Sequence, residues 1–146
     1  MRHSLGLALV LGLALGGCSG TRKDPAPPVP ELAIKDVQVV WTRGGKLGYL
    51  KTYDARATDA QGRPGPVVAI HYVEDLEFRQ VGWIANDGQA ERYAYPPKAE
   101  AEARRVVFDR VPLPPGSLED QVKRILQVEP TTELAFQRAT EADFRR

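Results

Sequence analysis

Few side chains in this chain can do covalent or acid–base chemistry at neutral pH. Cys18 is the only cysteine, and His3 and His71 are the only histidines. A lone cysteine forms neither an intrachain disulfide nor a cysteine-based zinc cluster. No serine sits in a G-x-S-x-G elbow. Ser19 falls in a proline-rich stretch, and Ser117 precedes a helical pattern that it is suited to cap. His71 lies inside an apolar β-type run, where a packed or hydrogen-bonded histidine is the expected state. Asp54, Asp59, Glu74, Asp75 and Asp87 cluster near turns without the D-x-D-x-D-G calcium spacing, and carboxylates at turns usually serve the turn itself. The run Glu74-Asp75-Leu76-Glu77 has the residue types of a glycosidase pair, but neighbours on a strand point to opposite faces, and a solvated strand end is expected. Gly44-Gly45-Lys46 lacks the spacing of a phosphate-binding loop. The expectation is no catalytic set, no metal and no cofactor.

Aromatic residues are the remaining candidates. Tyr49, Tyr53, Tyr72, Trp83, Tyr93 and Tyr95 fall within 47 residues. Such rings can stack on a sugar or a peptide, or they can pair across strands and fill a core. A small domain needs its large side chains inside, so core is the first expectation. Tyr93 and Tyr95 are two residues apart and share a strand face. If that face is outward, Tyr93, Tyr95 and Trp83 form the binding surface.

The elements that must position these rings are mostly strands. Val37, Val39 and Trp41 alternate with polar residues and predict a strand over 36–42, ending at Gly44-Gly45. Residues 48–53 and 67–73 predict two more, separated by the turn cluster 59–65. Residues 78–85 predict a fourth strand, bulged at Gly82, and Asn86-Asp87-Gly88 a tight hairpin turn into 92–95. Residues 98–105 suit helix by propensity and strand by alternation, with 106–108 expected as strand. Pro112, Pro114, Pro115 and Gly116 predict a break. Ser117 and Asp120 then form a capping-box variant for an amphipathic helix at about 117–128, with Leu118, Val122, Ile125 and Leu126 on one face. Residues 132–144 fit strand or helix. The fold class expected is mainly β (α+β): a small antiparallel β-meander sheet with one amphipathic helix.

Two local resemblances add to this reading. Met1-Arg2-His3 is a short basic start, and 4–15 is apolar or small and uncharged, as in an export signal. The run is shorter than the roughly 20 apolar residues that span a bilayer. It ends in Leu15-Gly16-Gly17-Cys18, which resembles the lipobox of bacterial lipoproteins. The resemblance covers residues 1–18 only. It implies diacylglyceryl transfer to the Cys18 thiol, cleavage between Gly17 and Cys18, and acylation of the new amine. Two or three acyl chains hold a protein stably in a bilayer, since each buried methylene contributes about 0.8 kcal/mol. Ser19, in place of the aspartate that retains enteric-type lipoproteins in the inner membrane, favours the outer membrane in a diderm organism. Separately, GQAERYAY at 88–95 resembles the G-x-x-x-R-Y-x-Y tail of the YD (Rhs-type) β-hairpin repeat, with Pro96 where that family has aspartate. A single copy is present, with a faint echo at 53–63.

The organisation expected is therefore a removed leader at 1–17, a lipidated cysteine and proline-rich tether at 18–31, and one small β-rich domain at 32–146. Lysine plus arginine number 20 against 19 acids, so no basic excess points to nucleic acid. The expected partners are a lipid bilayer through acylated Cys18 and an envelope protein or glycan. The function expected is a non-enzymatic envelope lipoprotein with a structural or interaction role. The alternative is a lipid-anchored glycan- or peptide-binding module using a tyrosine-rich sheet face, and the remote alternative is a hydrolase.

Overall fold

The period-two alternation that begins near Val37 belongs to a set of strands that holds about half of the described residues. The computed structural model describes residues 31–145. Leu15, Gly16, Gly17 and Cys18, and the tether up to residue 30, lie outside the described residues. In chain order the elements are β1 (Glu31–Thr42), β2 (Gly45–Thr58), β3 (Pro64–Glu74), β4 (Gln80–Ala85), β5 (Ala90–Ala94), α1 (Lys98–Arg104), β6 (Asp109–Leu113), α2 (Leu118–Leu126), β7 (Ala135–Arg138) and a 3-10 turn at Glu141–Phe144. All pairings are antiparallel, in the order β6-β5-β4-β3-β2-β1-β7. The meander expected from sequence is thus a seven-stranded sheet, with the class mainly β.

Three hairpin loops share one hydrogen-bond pattern. The amide of Asp59 donates to Arg63 O, that of Asp75 to Arg79 O and that of Ala85 to Gln89 O. In the first two, the aspartate carboxylate accepts from two backbone amides and from the arginine Nε at the loop's end. The fourth loop residue adopts positive φ in each case: Gly62 at 78°, Phe78 at 61° and Gly88 at 86°. Glycine takes this region freely, and a phenylalanine there is strained.

α2 lies across one face of the sheet. Val122 and Ile125 pack on Val40, Leu50, Val73, Ile84 and Ala90 to form the core. The Ser117 hydroxyl accepts from the Asp120 amide at 3.2 Å, as the capping pattern predicts. Glu119 and Asp120 sit in the first turn and Lys123 and Arg124 in the last, matching the helix dipole. The helix stops at Leu126, two residues before the expected end, because Gln127 turns left-handed at φ 57°.

Two expectations change. Residues 106–108 are not strand, since left-handed Arg105 closes α1 and the Val106 amide turns back to Ala101 O. The strand starts at Asp109 and runs through Pro112, which the sequence marks as a break. β6 is the sheet edge, where a proline forfeits no ladder bond. Residues 132–144 hold both candidate structures, a short strand and then a 3-10 turn. The bulge expected at Gly82 lies beside it, at the register shift that makes Glu74 pair with Gln80 while Val73 pairs with Gly82.

Candidate functional site

The sheet face opposite α2 carries the polar and aromatic side chains. Register places Lys51 of β2, Tyr72 of β3, Trp83 of β4 and Glu91 of β5 in one cross-strand row on that face. All four are half-buried. Lys51 Nζ pairs with Glu74 Oε1 at 2.7 Å, and Trp83 Nε1 donates to Glu91 Oε2 at 2.8 Å. Arg110 of β6 also reaches Glu91 Oε2, at 2.8 Å. Tyr53, one row along, meets the Tyr72 ring edge-on at 5.4 Å. Glu74 Oε2 is buried and has no hydrogen-bond partner among the described residues. The arrangement offers π faces flanked by charged hydrogen-bonding groups, which suits the apolar face of a sugar or an extended peptide.

Both margins of the row are closed by aromatic contacts. On one side Phe108 stacks on Tyr93 at 4.1 Å and leans on Tyr95 at 5.5 Å. Tyr93 is 9% exposed. The Tyr95 hydroxyl donates to Gln80 O, and the Arg79 guanidinium lies 4.4 Å from the Tyr95 ring. Burial pushes both phenols up from their ordinary value, so both stay neutral at physiological pH. On the other side Tyr49 stacks on Phe78 at 4.8 Å and on Phe144 at 5.7 Å, and with Phe78 and Phe144 6.0 Å apart the three rings form a triangular cluster. The Tyr49 hydroxyl donates to Asp143 O at 2.9 Å, and Lys46 pairs with Asp143 at 3.0 Å. This clamps the C-terminal turn to the sheet. Hydrogen bonds from Thr140 and the Lys46 ammonium hold the Asp143 carboxyl below its ordinary range.

Of the three candidate surface rings, then, Trp83 is in the open row, while Tyr93 and Tyr95 lie under Phe108. Lys51, Tyr72 and Glu91 complete the row, with Tyr53 and Glu74 in the rows on either side of it. Their shared face depends on the register between β2, β3 and β4, which single-strand patterns do not contain. The Phe78 clamp had a visible signal. DAQGR at 59–63 and DLEFR at 75–79 share their first and last residues, and Phe stands where the first has Gly.

His71 is on the α2 face. Its Nδ1 is 2.9 Å from Thr52 Oγ1, and burial lowers its pKa. It borders a pocket of about 400 Å³ with Asn86, Asp87, Ser117 and Leu118. The Asp87 carboxylate accepts from the Gln89 amide at 3.0 Å and so serves the hairpin turn. Asp54 pairs with Lys35, and Asp59 and Asp75 anchor their own loops. Among the described residues no three His, Asp or Glu side chains converge as metal ligands.

No family model matches the chain, and neither a curated protein nor a solved structure is significantly similar to it.

Proposed function

We propose that the chain is a lipid-anchored interaction module of a bacterial envelope. Cys18 carries the acyl chains, residues 19–30 form the spacer up to β1, and the open sheet face contacts an envelope protein or glycan. The address rests on Leu15-Gly16-Gly17-Cys18. The observation that carries the recognition half is the row Lys51, Tyr72, Trp83 and Glu91, with Tyr53 beside it, on the face that α2 leaves uncovered. Paired charges at both ends of an aromatic strip favour a ligand with apolar faces and hydroxyl or amide edges, so a glycan or peptide is preferred over a lipid chain at this row.

Two substitutions separate the halves. Cys18→Ala removes incorporation of labelled palmitate and moves the protein out of the membrane fraction. The double variant Tyr72→Ala, Trp83→Ala keeps the label and the membrane location, yet loses envelope components captured by the wild-type protein in affinity pull-down. Unchanged capture by the double variant rejects the row as the contact surface, and unchanged palmitate labelling of Cys18→Ala rejects the anchor.

A further inference from the structure

The sheet is not rectangular. β4 pairs with β3 only from Ile70 onward, and β7 pairs with β1 only over Gln38–Trp41. Residues 31–34 of β1, 53–58 of β2 and 64–69 of β3 therefore extend past the β4–β5 turn as a three-stranded arm. Six residues of β3 beyond Ile70 make an overhang of about 20 Å at ~3.3 Å per residue.

One face of this arm is apolar across all three strands. Leu32, Ala55 and Val68 form one register row, and Ile34, Tyr53 and Ile70 the next. Leu32 is 43% exposed, Ile34 65% and Val68 42%. Large apolar side chains this exposed in adjacent rows mark a contact surface. Two charge pairs lie at the arm, Lys35 with Asp54 at 3.6 Å and Arg63 with Asp59 at 2.7 Å. The patch ends at the charged row of Lys51, Tyr72 and Glu91.

The arm is poorly suited to a strand-adding partner. Pro64 and Pro66 remove amide donors from the β3 edge. The β1 edge is bulged between Ile34 and Asp36 and carries Lys35 there. Bulges, lysines and prolines are the devices that block edge-to-edge pairing. What remains is non-directional apolar contact.

The chain also says where that contact lies. The arm begins at Glu31, immediately after the tether. Only residues 19–30 separate Cys18 from Glu31, so the arm is the part of the domain nearest the anchor along the chain. We propose that the face bearing Leu32, Ile34 and Val68 rests on the lipid bilayer that holds the anchor, with Tyr53 at the headgroup level. This rests on the anchored reading above. A half-exposed tyrosine between aliphatics and charges suits the interface, where aromatic rings with a polar tip concentrate. Docking on this face turns the Lys51 to Glu91 row toward the headgroup boundary and holds the domain in one orientation.

The test uses the chain from residue 18 onward with an N-terminal hexahistidine tag and Cys18→Ser, held on phosphatidylethanolamine/phosphatidylglycerol vesicles by a nickel-chelating lipid. The substitute anchor makes the result independent of native lipidation, which palmitate labelling reports separately. Single cysteines introduced by Ile34→Cys, Val68→Cys or Arg43→Cys carry an environment-sensitive fluorophore. Arg43 is exposed in the β1–β2 turn at the other end of the sheet. The labels at 34 and 68 shift to the blue on vesicles and are quenched by acyl-chain-brominated lipid, and the label at 43 does neither. Leu32→Asp with Ile34→Asp abolishes the shift at 68 while circular dichroism stays unchanged. Equal responses at 34, 68 and 43, or a blue shift at 34 produced by envelope protein without lipid, overturn the proposal.

Discussion

Ile125 of α2 stands directly over Gly82 of β4. A Cβ built on Gly82 meets Ile125 Cγ2 at 2.8 Å and Glu91 O at 2.6 Å. Both contacts are closer than carbon atoms tolerate, and one neighbour is backbone. Gly82→Ala therefore forces the helix off the sheet or strains the strand. Overpacking of this kind costs about 1–3 kcal/mol. Thermal denaturation should show a lowered midpoint, and an unchanged midpoint shows that α2 does not seat on Gly82.

Gln121 is fully buried and spans three segments. Its Nε2 donates to Gly88 O at 2.8 Å and Pro114 O at 2.7 Å. Gln121→Leu keeps the volume and removes both donors. The expected loss is about 1–3 kcal/mol by urea denaturation, and proteolytic nicking should rise in the 86–89 and 114–117 loops. A variant as stable as the wild type shows that these carbonyls are satisfied without Gln121.

Phe78 pairs strain with stacking. At φ 61° it sits where its sister loop has Gly62, and its ring lies on Tyr49. Phe78→Ala loses the ring and keeps the strained backbone, and Phe78→Gly loses the ring and relieves it. Both variants should be less stable than wild type, with glycine about 1 kcal/mol better than alanine. Alanine matching glycine in denaturant midpoint would show that the left-handed turn is not retained.

His71 gives the fold a pH dependence of known sign. Burial lowers its pKa from the ordinary 6.5, so the folded state holds the neutral ring and the unfolded chain binds the extra proton. Its contribution is complete above pH 6.5 and is lost as pH falls from 6.5 through the lower folded value. The imidazole titration followed by NMR should have its midpoint below 6.5. His71→Gln should flatten stability against pH in that window, and a midpoint at or above 6.5 contradicts the burial.

The strands were legible because each carries its own alternation, and α2 because its cap, its apolar stripe and its terminal charges agree. The hairpin at 86–88 was legible from Asp-Gly alone, since few dipeptides accept positive φ. β6 was not, because a proline reads as a break until its strand is known to be an edge. Nor was the loss of strand at 106–108, which depends on Arg105 turning left-handed. The aromatic residues were visible as a set, but their division was not. Whether Tyr93 faces solvent depends on Phe108, which is fifteen positions away and folds over it.

The amino-acid sequence by itself determined the class of fold and the capped helix, and it carries the proposed address at Cys18, because propensity, periodicity and targeting motifs are written within a few consecutive residues. Tertiary structure decided which rings form a surface, which strands overhang as an arm, and that Phe78 must hold a glycine's conformation. Each of those depends on register between strands distant in sequence, where a shift of one residue exchanges the two faces of a sheet.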